Sequence, residues 1–173
     1  MISTRPAFRG RLTKLDVLQI KTASGLSYER ELIQHPGAAV IIPCLPDGRL
    51  ILIHQLRIAV GKEIWEFPAG TLEKGESDSQ CARRELQEET GWKAGRLQKL
   101  VEFYPTPGVS TERMIIFLAG NLKLVSAQNP DKDEELEVHI FTARQLDKMI
   151  RAGQIIDGKT ILGFLYYKQY VLR

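Results

Sequence analysis

The sequence predicts an α/β fold, and three observations carry that reading. Short apolar runs recur at Leu15–Lys21, Leu26–Ile33, Ala38–Leu45 and Arg49–Arg57, most of them bounded by turn-forming residues, as strands are. From Ser77 to Thr90 there is neither proline nor glycine, and Gly91 follows as a natural helix stop. Two further helical patterns, Thr142–Ala152 and Thr160–Leu172, close the chain.

Length sets the scale: 173 residues, 43% hydrophobic and 26% charged, suit one compact domain with a sizeable core. Residues 1–36 form a separate N-terminal unit in this reading, and residues 37–173 form the main domain. In the first, Leu15–Lys21 alternates apolar and polar side chains, Thr22–Gly25 offers a turn, and Leu26–Ile33 resumes the alternation, so an antiparallel hairpin is expected. Its apolar faces need a partner, either the same domain or a second subunit.

His35-Pro36-Gly37 breaks the chain, after which two strongly apolar strands are joined by the turn Pro46-Asp47-Gly48. Leu50–Ile53 is continuously apolar, which predicts burial on both faces. Arg57 stands at this strand's end, where its guanidinium suits either a phosphate clamp or the surface. His54, within the strand, reads as structural. Glu63–Gly70 follows as a short strand ending at Pro68, with Trp65 and Phe67 serving either as core or as stacking surface. Proline and glycine on either side of Ala69 hold its carbonyl at a fixed angle, which suits a ligand. Past the helix come strands at Leu97–Phe103, Arg113–Leu118 and Leu136–Phe141. They are separated by a turn-rich loop, Tyr104–Glu112, and by a polar loop containing NPDKDEELE.

The helix carries the chemistry. Ser77 followed three residues on by Gln80 has the form of a capping box. At about 100° per residue, Glu85, Glu88 and Glu89 fall within an arc of roughly 100°, with Ala82 and Leu86 beside them as the core-facing edge. Three carboxylates so placed repel one another unless they are solvated, protonated or neutralised by a cation, and an oxygen-only set suits Mg²⁺ or Mn²⁺. The plainer reading is a solvated face in which Arg84 and Glu88 form an i,i+4 pair.

A longer pattern decides between them. Gly70, five residues, Glu76, seven residues, Arg84-Glu85-Leu86, one residue, Glu88-Glu89, one residue, Gly91 and a large apolar residue together resemble the complete Nudix box. Trp92 stands where an aliphatic residue is more usual. The string PTPGVSTE, with Pro107 sixteen residues beyond Gly91, is similar to a loop of the ADP-ribose and nucleotide-sugar pyrophosphatase subgroup. The strand ending in QLR, the approach WEFPAG and the segment GQIIDGKTILGFLYY extend the likeness through the chain.

The resemblance implies a Nudix α/β/α sandwich with a mixed sheet, preceded by an N-terminal antiparallel β extension. It implies Mg²⁺-dependent hydrolysis of the pyrophosphate bond of ADP-ribose or a related nucleoside diphosphate sugar. GDP-mannose, another nucleotide sugar or a triphosphate are the alternative substrates, and a nucleotide-sensing module without catalysis is the alternative role. It assigns Ala69, through its carbonyl, Glu85, Glu88 and Glu89 to the metal, and Arg84 to orienting the carboxylates. Glu134, with Glu135 as its neighbour, becomes base or further ligand. Arg57 is assigned to phosphate and Glu112 to sugar hydroxyls, while Trp65 and Tyr28, with Arg30 nearby, are candidates for the substrate's base. The subgroup's exchanged N-terminal strands imply a homodimer.

Charge and cysteine content bound the rest. A net charge of +3 is too slight to argue for nucleic acid or a membrane surface. Cys44 and Cys81 are the only cysteines, each in an apolar or helical stretch, as suits reduced core thiols. No leader-like start and no bilayer-length apolar run is present, so the expected location is the cytoplasm.

Overall fold

The computed structural model describes residues 3–10, 13–125, 127–128 and 136–172. The backbone forms two compact units, residues 1–37 with 103–114, and residues 38–102 with 115–173.

In the first unit, β1 (Ser3–Arg9), β2 (Lys14–Lys21) and β3 (Ser27–Gln34) make an antiparallel sheet in the order β1-β2-β3. The expected hairpin is β2–β3. Its turn closes through the Gly25 N–H on the Thr22 carbonyl at 3.0 Å, with Gly25 in the left-handed region at φ 87° that glycine enters without strain. β1 is absent from the sequence reading for a physical reason: all seven of its residues are exposed, so it carries no alternation to detect. Its pairing with β2 includes an ion pair from Arg9 to the buried Asp16, whose carboxyl that guanidinium holds below its ordinary range against the opposing effect of burial. Residues 109–111 lie along β3, with the Ile33 N–H on the Val109 carbonyl at 2.8 Å and the Thr111 N–H on the Ile33 carbonyl at 2.9 Å.

The second unit contains β4 (Ala38–Pro43), β5 (Leu50–Arg57), β6 (Lys62–Glu66), β7 (Ala69–Thr71), α1 (Asp78–Thr90), β8 (Trp92–Phe103), β9 (Met114–Leu124), β10 (Leu136–Phe141), α2 (Ala143–Arg151) and α3 (Gly158–Tyr170). The first residue of β9 and the last of β8 belong to the first unit. One sheet has the order β7-β4-β9-β8 and the other β10-β5-β6.

Strand alternation explains the layering. Ala39, Ile41, Ile115 and Phe117 share a buried cluster with Ile51 and with Cys81, Ala82 and Leu86 of α1. Their neighbours Ile42 and Ile116 point the other way, to within van der Waals reach of Gly163 in α3. Side chains one residue apart thus serve opposite faces, which is why β4 is buried at all six positions. Each fully buried isoleucine contributes about 1.5–3 kcal/mol of burial free energy. The result is the mixed-sheet α/β sandwich with an N-terminal antiparallel extension.

Several boundaries move. β8 begins at Trp92, directly after the helix stop, rather than at Leu97; Lys93 and Arg96 mask the pattern, while Ala94 is buried and its carbonyl accepts from Arg83 at 2.7 Å. β9 continues past Leu118 to Leu124, through Gly120-Asn121, where Asn121 adopts φ 52°. β6 stops at Glu66 because the next N–H, that of Phe67, is diverted from the sheet to a side chain of α3. β7, three residues long, is too short to show a period.

Candidate active site

Helix α1 is fixed at both ends by its own sequence. Ser77 and Gln80 form the reciprocal capping box, and Gly91 closes the helix at φ 76° with its N–H on the Gln87 carbonyl at 2.8 Å. Cys81, Ala82 and Leu86 are buried in the core, so the rotation of the helix is set and the face carrying Arg84, Glu85 and Glu88 is carried to the core's margin.

Arg84 is the centre of that face. Its Nε and Nη2 donate to the two Glu76 carboxylate oxygens at 2.9 and 3.0 Å, while Nη1 donates to Glu85 at 2.7 Å and to Glu88 at 3.0 Å. Nη2 also reaches the Thr71 carbonyl at 3.3 Å. One guanidinium therefore gathers three glutamates. The Arg84 hydrogen bond holds the Glu76 carboxyl below its usual range, against partial burial, and the carboxylates in turn raise the arginine's own affinity for its proton. Cys81, behind them, is pushed up to about 12, first by burial and then by the charges of Glu85 and Glu76. It is a structural thiol, with Sγ donating to the Gly70 carbonyl at 3.4 Å.

Glu89 lies deeper than the three glutamates on Arg84. It is 2% exposed, and its Oε2 accepts the Ala69 N–H at 3.0 Å. The Glu89 carbonyl accepts from Gln128 Nε2 at 2.8 Å. Next to Ala69, Gly70 admits the Glu85 carboxylate so closely that a Cβ there would stand 1.7 Å from Oε1. Any side chain at this position would displace the Glu85 carboxylate from where it lies.

Ala69, Glu76, Arg84, Glu85, Glu88 and Glu89 are brought together through these contacts. Among the described residues, no group of three or more His, Cys, Asp and Glu side chains is arranged to hold a metal ion, and the Arg84 guanidinium stands among the carboxylates. The donor chemistry still fits a hard divalent cation: every side-chain ligand offered is a carboxylate oxygen, and Arg84 already marks the place as one that needs positive charge.

Elsewhere in the same unit, Arg57 grips Glu66 with two parallel bonds, Nε to Oε1 at 2.7 Å and Nη2 to Oε2 at 2.8 Å. Trp65 stacks on His54 at 4.2 Å between ring centroids and meets His139 and Phe141 edge-on at 4.9 and 5.2 Å. In the first unit, Arg30 lies over the Tyr28 ring at 4.6 Å, and Glu112 faces His35 at 3.8 Å. Glu134 and Glu135 lie outside the described residues.

Sequence reasoning missed Glu66, Asp157, Lys159 and Thr160. Glu66 is 1% exposed, and Lys159 pairs with both it and Asp157. Asp157 caps α3 at the Thr160 N–H at 2.9 Å, and Thr160 Oγ1 accepts the Phe67 N–H at 2.8 Å. Two signals were available: a charge inside the apolar run IWEFP, and an aspartate three residues ahead of a threonine at a helix start.

Comparisons with known proteins identify the family. The NUDIX domain family model matches residues 34–161, and the chain belongs to that family. Nudix hydrolases are generally dependent on divalent metal. The chain is 34% identical over 166 residues to an ADP-ribose pyrophosphatase of Bacillus subtilis (strain 168), covering 95% of this chain and 90% of that protein. It is likewise 34% identical over 166 residues, with the same coverage, to a methanol dehydrogenase activator of Bacillus methanolicus. A solved structure described as an ADP compounds hydrolase has the same fold, with a TM-score of 0.87 at 22% identity over 98% of this chain and 92% of that one. No helix among the described residues is long and apolar enough to cross a membrane.

Proposed function

We propose that this chain hydrolyses the pyrophosphate bond of a nucleoside diphosphate sugar, with ADP-ribose as first candidate, to give AMP and ribose 5-phosphate. The observation that carries the reading is the convergence of Glu76, Glu85 and Glu88 on Arg84, with Glu89 seated against the Ala69 N–H beside them.

Glu85, Glu88, Glu89 and the Ala69 carbonyl would hold Mg²⁺, or Mn²⁺ in its place. When bound, the metal supplies charge for the diphosphate oxygens and acidifies a water. The protein's own contribution is placement. Arg84 aligns the Glu85 and Glu88 carboxylates, Glu85 packs closely on Gly70, and the Ala69 amide holds Glu89. Arg57, 37% exposed at its side chain, is the cation available to a phosphate, and Glu134 is the candidate base. Trp65, Tyr28 and Glu112 are candidates for the base and sugar.

The proposal extends to a homodimer in the cytoplasm. β1, exposed along its whole length in the single chain, supports a second copy, and the free Cys44 and Cys81 suit a reducing compartment. Removal of residues 1–34 is expected to convert the dimer to monomer in light scattering; an unchanged mass would remove that assignment.

Phosphate release coupled to an added phosphatase tests the reaction with ADP-ribose, GDP-mannose, UDP-glucose and a nucleoside triphosphate, each with Mg²⁺ or with chelator. ADP-ribose cleavage that chelator abolishes is the expected result. Run without any dehydrogenase, the assay also separates hydrolysis from the activator role for which one relative is named. Survival of every substrate would leave a nucleotide-binding module as the better account.

A further inference from the structure

Gln55 is buried without a partner for its amide. The residue is 3% exposed, and its Nε2, withdrawn from solvent, has no hydrogen-bond partner among the described residues. A buried donor in this state is a standing cost to the fold, which an apolar side chain of the same size would remove. The strand register shows what surrounds it. Gln55 pairs with Ile64 of β6 on one side and with Leu136 of β10 on the other, so the residues across both strands are apolar. The carboxylate on the same face, Glu66, stands opposite Ile53 and is engaged by Arg57 and Lys159.

The placement of this amide is specific. Side chains two and four residues apart share a face of a strand, so Gln55 lies on the face that carries Ile51. Ile51 packs with Cys81, Ala82 and Leu86, which makes it the face turned to α1 and its glutamates. Arg57 lies opposite Lys62 and Glu66 opposite Ile53, so the fork between Arg57 and Glu66 runs across the intervening pair, Gln55 and Ile64. The amide is therefore covered by an ion pair, and the Arg57 side chain, 37% exposed, is the solvent side of that cover.

We propose that Gln55 is a substrate-binding residue whose amide N–H donates to an oxygen of the diphosphate. This rests on the reading of the chain as a hydrolase of nucleoside diphosphate sugars. Of that substrate's groups, the ionised diphosphate offers acceptors alone, which is what an unpartnered donor requires, whereas sugar hydroxyls would bring donors of their own. Binding shifts the fork, and the substrate oxygen then satisfies the amide. The free protein bears the cost of the orphaned donor, and the bound one is relieved of it.

The test is Gln55→Met in the full-length protein, a change that keeps the length of the side chain and removes the donor. Two opposed effects are expected. The thermal midpoint of the ligand-free protein should rise by about 2–4 °C, the scale of one orphaned donor relieved in a chain of this size. With ADP-ribose and Mg²⁺, KM should rise about tenfold, as for loss of a hydrogen bond to a charged group, while kcat stays within about threefold of the parent. Calorimetric titration with ADP and Mg²⁺, which needs no turnover, should show the same tenfold loss of affinity. A midpoint that falls or stays level, or a variant that folds poorly, would mean that Gln55 is already satisfied in the free protein, and overturns the proposal. Unchanged KM and ADP affinity overturn it as well, as does a parent that does not bind ADP. A parent that binds ADP but cleaves none of the nucleotide substrates overturns the hydrolase reading alone, and the midpoint and ADP affinity of Gln55→Met then decide whether the amide binds a diphosphate.

Discussion

The Thr160 hydroxyl accepts a hydrogen bond from the backbone N–H of Phe67 at 2.8 Å, across 93 residues of chain. Thr160 is fully buried, as is Phe67, so no solvent can replace this bond. It ends β6 and begins the turn that delivers Ala69 to Glu89, two residues further on. Thr160→Val keeps the shape and removes the acceptor, which leaves a buried N–H unsatisfied. The expected cost is about 1–3 kcal/mol in urea unfolding, with Thr160→Ser close to the parent.

Gly70→Ala would place a methyl group on the Glu85 carboxylate. Glu85 is anchored through Arg84, so it must leave that arrangement or the backbone must shift. Turnover is expected to fall about a hundredfold, the scale of a misplaced catalytic group, while the far-ultraviolet dichroism of the helices is retained. Turnover near the parental value would show that the contact is dispensable.

Glu89→Gln preserves volume and an oxygen able to accept the Ala69 N–H, so the buried seat is kept while the charge is lost. A fall in kcat of about two to three powers of ten is expected, as for removal of a principal electrostatic group. Near-normal turnover would exclude Glu89 from the reaction.

Glu66 gives the protein an acid limit. Burial alone would raise its pKa, but the Arg57 hydrogen bonds and the Lys159 charge outweigh it and hold the carboxyl below its ordinary value. A carboxyl depressed in the folded state contributes stability that is present above the unfolded value, about 4.3, and is lost as pH falls through the folded one. Urea midpoints measured from pH 7 downward should therefore decline below the ordinary glutamate range, and Glu66→Gln should decline less steeply over the same interval. Equal slopes would mean that Glu66 is not held ionised.

The sequence made some of this legible, and the reasons are local. α1 announced itself because its cap, its stop and its buried stripe all lie within sixteen residues of one another. The apolar run Leu50–Ile53 was readable because burial on two faces leaves no polar residue to interrupt it. β1 and β7 were invisible, the one lacking a buried side and the other a period. Within the site, the spacing of Glu85, Glu88 and Glu89 correctly placed all three on α1, but could not show that Arg84 gathers only the first two while Glu89 turns inward to Ala69. The partnership of Glu66 with Lys159 spans 93 residues, and no local pattern encodes a contact of that range.

The guanidinium at the centre of α1 also bears on the order in which the molecule is made. In small zinc-dependent domains the ion arrives with the fold, and a chelator undoes both. Here the counter-charge for Glu76, Glu85 and Glu88 is built into the same helix. Neutralising these three carboxylates therefore calls for no ion during folding, and the proposed metal dependence belongs to turnover: chelator is expected to abolish activity while leaving the circular dichroism of the protein unchanged.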